Sequence, residues 1–94
     1  MASFITRVEL HNAKAEDYEK LHEYMEEEGF SRTITSDDEV AYYLPTAEYE
    51  LSGELTRSQI LQKAKSAASK TTKSFCALVT QSAGQSCYGL KQVK

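Results

Sequence analysis

The stretch 56–73 constrains the fold of this chain more than any other, because it has both a clear start signal and a clear apolar face. Thr56 and Gln59 have the spacing of a capping box, in which the threonine hydroxyl accepts from the amide of Gln59 and the glutamine side chain reaches back. Apolar residues then recur at helical spacing. They are Ile60, Leu61, Ala64, Ala67 and Ala68. The small alanines predict a helix that packs closely on a sheet.

The net charge of the chain changes sign where this helix begins. Residues 1–55 hold all 14 acidic residues and four basic ones, which gives −10, whereas residues 56–94 hold seven basic residues and no acid, which gives +7. The two parts make the net charge of −3. Such a distribution favours a polyanion, an oppositely charged partner, or contact between the two halves. Composition and spacing do not choose among these three.

Four lysines of the predicted helix are candidate contacts for RNA phosphates. On a helical wheel Lys63 and Lys70 flank the apolar stripe on one side and Lys65 flanks it on the other, while Lys73 lies at or beyond the helix end. The alternative is a solubilising face, in which the lysine stems cover the edge of the core and the ammonium groups stay in water. Lysines near a helix C-terminus are also favoured by the helix dipole. Both interpretations remain open.

The other patterns place strands around two helices. Residues 4–10 alternate as a strand with one face on the core. A first helix is predicted at 16–28, with Asn12 as a plausible cap and Gly29 as the residue that ends it. Further strands are predicted at 30–35, 40–44, 75–81 and 87–93, with a strand-like extension at 49–51.

This order of elements predicts one domain over residues 1–94. It is an α+β, ferredoxin-like split βαβ arrangement: β-α-β-β-α-β with an extra C-terminal strand, an antiparallel sheet and two helices on one face. The other face of the sheet is left open, so we expect a homodimer or a ligand to cover it.

Several classes of protein find no support in the sequence. The chain has no 18-residue apolar run, and its start lacks the pattern of a secretory signal, so we expect a cytoplasmic protein. It has no Walker loop, GxGxxG or GxSxG motif. Cys76 and Cys87 form no CxxC pair and no Cys/His set with zinc spacing, and folding about the turn at 82–86 does not place them opposite each other. We therefore expect no cofactor, no metal and no disulfide.

Two histidines are suited to proton transfer near neutral pH. A metal-free ribonuclease needs a group that takes the 2′-hydroxyl proton, a cation that stabilises the phosphorane, and an acid for the leaving oxygen. His22, at the margin of the first helix's apolar face, could supply such a set together with Arg32 or Arg7. The alternative is that His22 only packs against the sheet.

Tyrosines on or beside strands could stack unpaired bases or belong to the core and a dimer interface. They are Tyr42, Tyr43, Tyr49 and Tyr88.

The segments SFITRVELHNAKAEDYEKLHEYMEEEGFSRTI, YYLPTAEYEL, FCALVTQS and YGL together resemble the GhoS family of small bacterial proteins, the endoribonuclease antitoxins of type V toxin–antitoxin systems. The resemblance spans nearly the whole chain, and its motifs are structural rather than catalytic. It implies a ferredoxin-like fold similar to the CRISPR-associated integration subunits. It also implies sequence-selective cleavage of the messenger RNA of a small membrane-active toxin.

This chain departs from the related proteins at two places. The CRISPR proteins have a metal-binding aspartate at the end of the first strand, where this chain has Leu10, His11 and Asn12, so metal-dependent cleavage by that route is not implied. The best-studied antitoxin has arginine in the first helix where this chain has His22. Either the histidine takes over a phosphate or acid–base role, or activity is lost. The competing interpretation is thus a noncatalytic, dimeric interaction module of ferredoxin-like fold.

Overall fold

Two helices and five strands make up the part of the chain that the structure describes, and three of the strands follow one another between the helices. The structure is a computed structural model and describes residues 2–35, 39–83 and 88–93. Its elements are β1 (Ala2–Leu10), α1 (Ala15–Glu27), β2 (Thr33–Thr35), β3 (Ala41–Tyr43), β4 (Glu48–Gly53), α2 (Arg57–Ser69) and β5 (Phe75–Ser82). None of the helices in these ranges has the length and hydropathy needed to cross a bilayer.

Strand β1 forms the centre of a three-stranded sheet. It pairs with β4 on one side and β5 on the other, and both pairings are antiparallel. Strands β2 and β3 pair as a separate antiparallel ribbon. Two backbone hydrogen bonds of 2.7 Å between Ser31 and Glu50 join the approach to β2 with β4. The chain is therefore a small α+β protein with two helices and antiparallel sheets.

The core lies between the two helices and one face of the three-stranded sheet. Along β1 the predicted alternation is confirmed, because the side chains of Phe4, Thr6, Val8 and Leu10 are buried. The helices supply the opposing side chains. These are Leu21 and Met25 of α1 and Ile60, Ala64, Ala67 and Ala68 of α2. The alanines bring α2 onto β1 and β5, as their small size predicts.

Two of the three predicted helix-end features are confirmed. The Thr56 hydroxyl accepts from the Gln59 amide at 3.2 Å, and the Gln59 side chain accepts from the Thr56 amide at 2.8 Å. Gly29 follows α1 with a φ of +98°, a conformation that L-residues rarely adopt. Asn12 is not the cap of α1, since its own φ is +53° and the helix begins after Lys14.

The strand-like extension predicted at 49–51 is a full strand, β4, and a direct neighbour of β1. Pro45 precedes it, and Glu48 and Glu50 alternate with its apolar residues, a pattern that is also typical of an exposed edge strand. Tyr49 and Leu51 nevertheless face the core. The predicted strand at 30–35 shortens to β2 and one bridge at Ser31.

The extra strand predicted at 87–93 is not seen as a regular strand in residues 88–93. These residues lie along β3, held by hydrogen bonds from Tyr43 N to Lys91 O (2.8 Å) and from Val93 N to Ala41 O (2.9 Å) around one bridge, Tyr42 with Gln92. Because β3 has only three residues, it offers a partner too short for a longer ladder. Cys87 and part of the turn predicted at 82–86 lie outside the described residues.

Candidate functional site

The contact between His22 and Tyr49 is the centre of the candidate site. Helix α1 buries Leu21 and Met25 and leaves His22 half-buried at the margin of the same face. Its Nδ1 lies 2.6 Å from the phenolic oxygen of Tyr49, which β4 holds fully inside the core. The two ring centroids are 5.7 Å apart and the rings are tilted by 58°. The imidazole is thus fixed by a buried hydrogen-bond partner.

Burial moves the titration of both groups away from neutral pH. Desolvation lowers the pKa of His22 below 6.5, and the Arg32 guanidinium lowers it further, against the smaller raising effects of Glu26 and Glu19. Desolvation also raises the pKa of the Tyr49 hydroxyl. At neutral pH the pair is therefore an uncharged imidazole beside a protonated phenol.

The hydrogen bond between His22 and Tyr49 can run in either direction, depending on the tautomer of the imidazole. If Nδ1 carries the proton, it donates to the Tyr49 oxygen and Nε2 keeps a lone pair for use as a base. If the Tyr49 hydroxyl donates to Nδ1, the proton of the ring is on Nε2. The positive charge of Arg32 acts electrostatically on both groups, so the cluster joins an acid–base pair to a cation. We call His22, Tyr49 and Arg32 the histidine cluster.

Arg7, the other predicted catalytic cation, is not part of the histidine cluster. It lies on the opposite face of β1 from the core, exposed to solvent, with Leu78 and Glu48 as its neighbours on the flanking strands. The sheet therefore stands between Arg7 and His22. Of the two alternatives for the cation, the structure brings only Arg32 to His22.

Three of the four lysines predicted to bind RNA lie beside acidic side chains of α1 and its C-cap. The ammonium-to-carboxylate distances are 3.9 Å for Lys63 with Glu28, 3.8 Å for Lys70 with Glu27 and 3.9 Å for Lys73 with Asp17. Lys70 also lies 5.7 Å from the ring centroid of Tyr24. Contact between the two halves of the chain, one of the three explanations of the charge pattern, thus accounts for these lysines.

The ion pairs also explain why carboxylates occupy the unfavourable C-terminal end of α1. Glu27 and Glu28 are unfavourable next to the negative end of the helix dipole, but the lysines of α2 lie opposite them. Lys65, the fourth predicted lysine, is exposed and has no ion pair with a described residue. It is the member of the predicted set that stays available to a ligand.

The tyrosines divide between the core and the surface. Tyr49 belongs to the core and Tyr42 is half-buried, whereas Tyr43 and Tyr88 are 42% and 100% exposed. Only the last two present an open ring for stacking on a base.

One cluster was missed by reasoning from the sequence. Glu9, His11 and Cys76 lie together on the open face of the sheet, opposite the helices. The alternation of β1 places Glu9 and His11 on one side, but only the pairing of β1 with β5 adds Cys76.

Comparison with known proteins adds no identification. No protein-family model matches this sequence. No curated protein matches it significantly either.

Proposed function

We propose that this protein is a metal-independent endoribonuclease and acts as an antitoxin by cleaving the messenger RNA of a small membrane toxin. The observation that carries the proposal is the histidine cluster, in which a neutral imidazole is held by Tyr49 and the positive charge of Arg32 lowers the pKa of that imidazole. The resemblance to the GhoS family supports the biological role. The cytoplasm, where messenger RNA is found, is the compartment that the role requires.

The arrangement of the strands supports the finer description of the fold as ferredoxin-like. The sheet order β4-β1-β5, extended past β4 by the bridge of Ser31 with Glu50, is compatible with a split βαβ arrangement. The chain differs from a simple split βαβ arrangement in β3 and residues 88–93. Strand β3 pairs with β2, and residues 88–93 lie along β3.

In the proposed reaction, Nε2 of His22 accepts the proton of a ribose 2′-hydroxyl. The 2′-oxygen forms a bond to phosphorus, and the bond from phosphorus to the 5′-oxygen breaks. Arg32 stabilises the charge of the phosphorane, and water returns a proton to the leaving 5′-oxygen. The products are a cyclic 2′,3′-phosphate and a 5′-hydroxyl.

The RNA strand would contact Arg32 and Lys65 and would compete with Glu27, Glu28 and Asp17 for the other lysines. Competition is most feasible at Glu27, because exposed ion pairs contribute only about 0–1 kcal/mol each, whereas Glu28 and Asp17 are half-buried. The acidic outer face of α1 limits the RNA to one side of the molecule. Its exposed acidic residues are Glu16, Glu19, Glu23, Glu26 and Glu27.

We place the interface of the proposed homodimer on the open face of the sheet around Ile5 and Leu78, beside the end of β1 that carries Glu9 and His11. Leu78 of the edge strand β5 is 65% exposed on this face, and it lies diagonal to the half-buried Ile5 of β1. We expect these two apolar side chains to meet the partner subunit. Dimerisation through this face leaves the histidine cluster accessible, since the helices cover the other side.

The test is incubation of the purified protein with candidate toxin transcripts, with and without a chelator. We expect cleavage that persists in chelator, is lost in His22→Ala and Arg32→Gln, and is retained in Arg7→Gln. Arg7→Gln is the matched control because it removes the same charge from the opposite face of the sheet. Uncut RNA under all conditions, or cleavage by His22→Ala at the wild-type rate, contradicts the proposal.

A second function is favoured by the ion pairs between α1 and α2. Because Lys63, Lys70 and Lys73 already face carboxylates of the same chain, the basic half need not serve a nucleic acid. The protein would then be a noncatalytic, dimeric interaction module. A dimer in sedimentation equilibrium, together with uncut and unbound RNA at low salt, would support this function over the nuclease.

A further inference from the structure

We propose that Glu9, His11 and Cys76 bind a divalent ion of the Zn²⁺ class on the open face of the sheet. This site is separate from the histidine cluster and goes beyond the proposed nuclease function. It uses one oxygen, one nitrogen and one sulfur ligand. A water molecule would complete the coordination.

The backbone of β1 and β5 fixes the three ligands on one side of the sheet. Glu9 and Cys76 are direct cross-strand partners in the antiparallel register. His11 comes two residues after Glu9, and its amide donates to Ser74 O at 2.8 Å, which continues the ladder past the end of β1. Since side chains two residues apart on a strand share a face, His11 lies on the same side as Glu9, diagonal to Cys76.

The distances between the ligand atoms suit a site that closes around an ion. The three donor atoms lie within 4.8 Å of one another, and Glu9 Oε1 lies 3.9 Å from His11 Nε2. Zinc bonds of about 2.0–2.3 Å place neighbouring ligands of a tetrahedron roughly 3.3–3.7 Å apart. All three side chains are exposed, so rotation about their own bonds can close the remaining gap of about 1 Å without moving the strands.

The identity of the donors selects the class of metal. A thiolate and an imidazole favour Zn²⁺ and similar transition-metal ions, whereas Mg²⁺ and Ca²⁺ prefer oxygen ligands throughout. Three protein ligands with solvent on one side leave a fourth position open, as in catalytic rather than structural zinc sites. A shallow pocket lined by Arg7, Glu9, Cys76, Ala77 and Leu78 adjoins the site. It leaves room for water or a small anion on the metal.

The experiment uses the untagged full chain, stripped of metal, with its thiols reduced and with Co²⁺ as the spectroscopic probe. We expect a thiolate-to-cobalt charge-transfer band and visible bands of a four-coordinate ion that saturate at one Co²⁺ per chain. Zn²⁺ should displace the cobalt and abolish both. Affinity should fall as the pH is lowered, because the thiol and the imidazole must release their protons to bind.

Variants identify the ligands. Cys76→Ser should abolish the charge-transfer band, whereas Cys87→Ser should keep it. His11→Ala and Glu9→Gln should weaken Co²⁺ binding by at least the roughly tenfold that the loss of a mere second-shell partner costs. Glu48→Gln, a carboxylate on the same face but on β4, is the matched control and should bind like the wild type. Circular dichroism checks that each variant is folded.

Thermal unfolding gives an independent measurement. Zn²⁺ that binds the folded chain should raise the Tm of the wild type and of Glu48→Gln, and should leave the Tm of Cys76→Ser unchanged. A charge-transfer band retained in Cys76→Ser, or equal Co²⁺ affinity in all variants, overturns the proposal. RNA cleavage is not a readout here, so failure of the nuclease proposal leaves this test unaffected.

Discussion

The phenolic oxygen of Tyr49 lies 2.6 Å from Nδ1 of His22, so the start of β4 is hydrogen-bonded to α1 at the edge of the core. The residues are 27 positions apart in the chain. Burial lowers the pKa of the imidazole and raises that of the phenol, so both groups are uncharged at neutral pH. Structural and catalytic roles of this contact can be separated by substitution.

Tyr49→Phe keeps the ring in the core and removes only the hydroxyl. We expect it to lower the free energy of unfolding by about 0.5–1.5 kcal/mol, because a half-buried imidazole nitrogen loses its partner. Urea denaturation measures the change. Tyr43→Phe, at a ring that is 42% exposed, is the matched control and should leave stability within experimental error. Equal effects of the two substitutions would show that the hydrogen bond contributes nothing.

The lowered pKa of His22 predicts that stability falls as the pH is reduced. Below pH 6.5, His22 binds a proton in the unfolded state but remains neutral in the folded state until the pH reaches its lower folded pKa. Protonation therefore favours the unfolded state. The contribution of His22 is complete above pH 6.5 and is lost as the pH falls toward its folded pKa. Urea midpoints compared between about pH 7.5 and pH 5.5 should show this loss in the wild type and a flatter profile in His22→Gln. A steeper profile in the variant would contradict the sign.

The Arg32 guanidinium should be a cause of the low pKa of His22, second to burial. Arg32→Gln is therefore expected to raise this pKa, and an NMR titration of the His22 ring protons measures it. Arg7→Gln removes an equal charge from the far side of the sheet and should leave the titration nearly unchanged, because distance and solvent screen its field. Equal shifts of the His22 pKa in Arg32→Gln and Arg7→Gln would show that Arg32 has no specific electrostatic effect on His22.

The ion pairs of α1 with α2 should mask lysines from RNA. Glu27→Gln combined with Glu28→Gln frees Lys70 and Lys63, and we expect tighter binding of a single-stranded RNA oligonucleotide with a steeper salt dependence. The free energy of unfolding should change by less than about 1 kcal/mol, as exposed ion pairs contribute little.

A double variant with the same loss of charge but fewer ion pairs removed provides the control for RNA binding. Glu23→Gln combined with Glu27→Gln leaves the pair of Lys63 with Glu28 intact. It should bind RNA more weakly than the first double variant. Equal affinities would mean that only net charge matters, and unchanged affinity in both would favour the interaction module.

Thr6 is a buried polar residue without a hydrogen-bond partner for its hydroxyl among the described residues. Thr6→Val replaces that hydroxyl by a methyl group, so we expect stabilisation of about 1 kcal/mol. Thr71→Val is the contrasting substitution, because the Thr71 hydroxyl donates to Ala68 O at 2.7 Å and its loss should destabilise. Thermal unfolding of both variants checks the opposite signs. Destabilisation by Thr6→Val would mean that its hydroxyl has a partner.

The position of Arg7 relative to the candidate site follows from the sequence alone. The alternation that buries Thr6 and Val8 places Arg7 on the other side of β1, so Arg7 could already have been separated from His22. The pairing of His22 with Tyr49 does not follow from the sequence, because no local pattern shows that β4 lies next to β1 under α1. Glutamates on its outer face concealed a strand whose inner face is fully buried.

Local chemistry by itself determined the helix ends and the faces of the strands. The capping box of Thr56 and Gln59, the glycine after α1 and the alternation of β1 depend on neighbours within a few residues, and all three are seen in the structure. The segregation of charge was also plain in the sequence, although its meaning was not.

Which of these groups meet depends on long-range packing. The register of β1 with β5 joins Glu9 and His11 to a cysteine 65 positions beyond His11, and the packing of α2 beside α1 sets lysines against carboxylates. Such contacts depend on how distant segments pack and pair, which local propensity does not encode. The amino-acid sequence thus supplied the ligands, charges and acid–base groups, and long-range packing selected their partners.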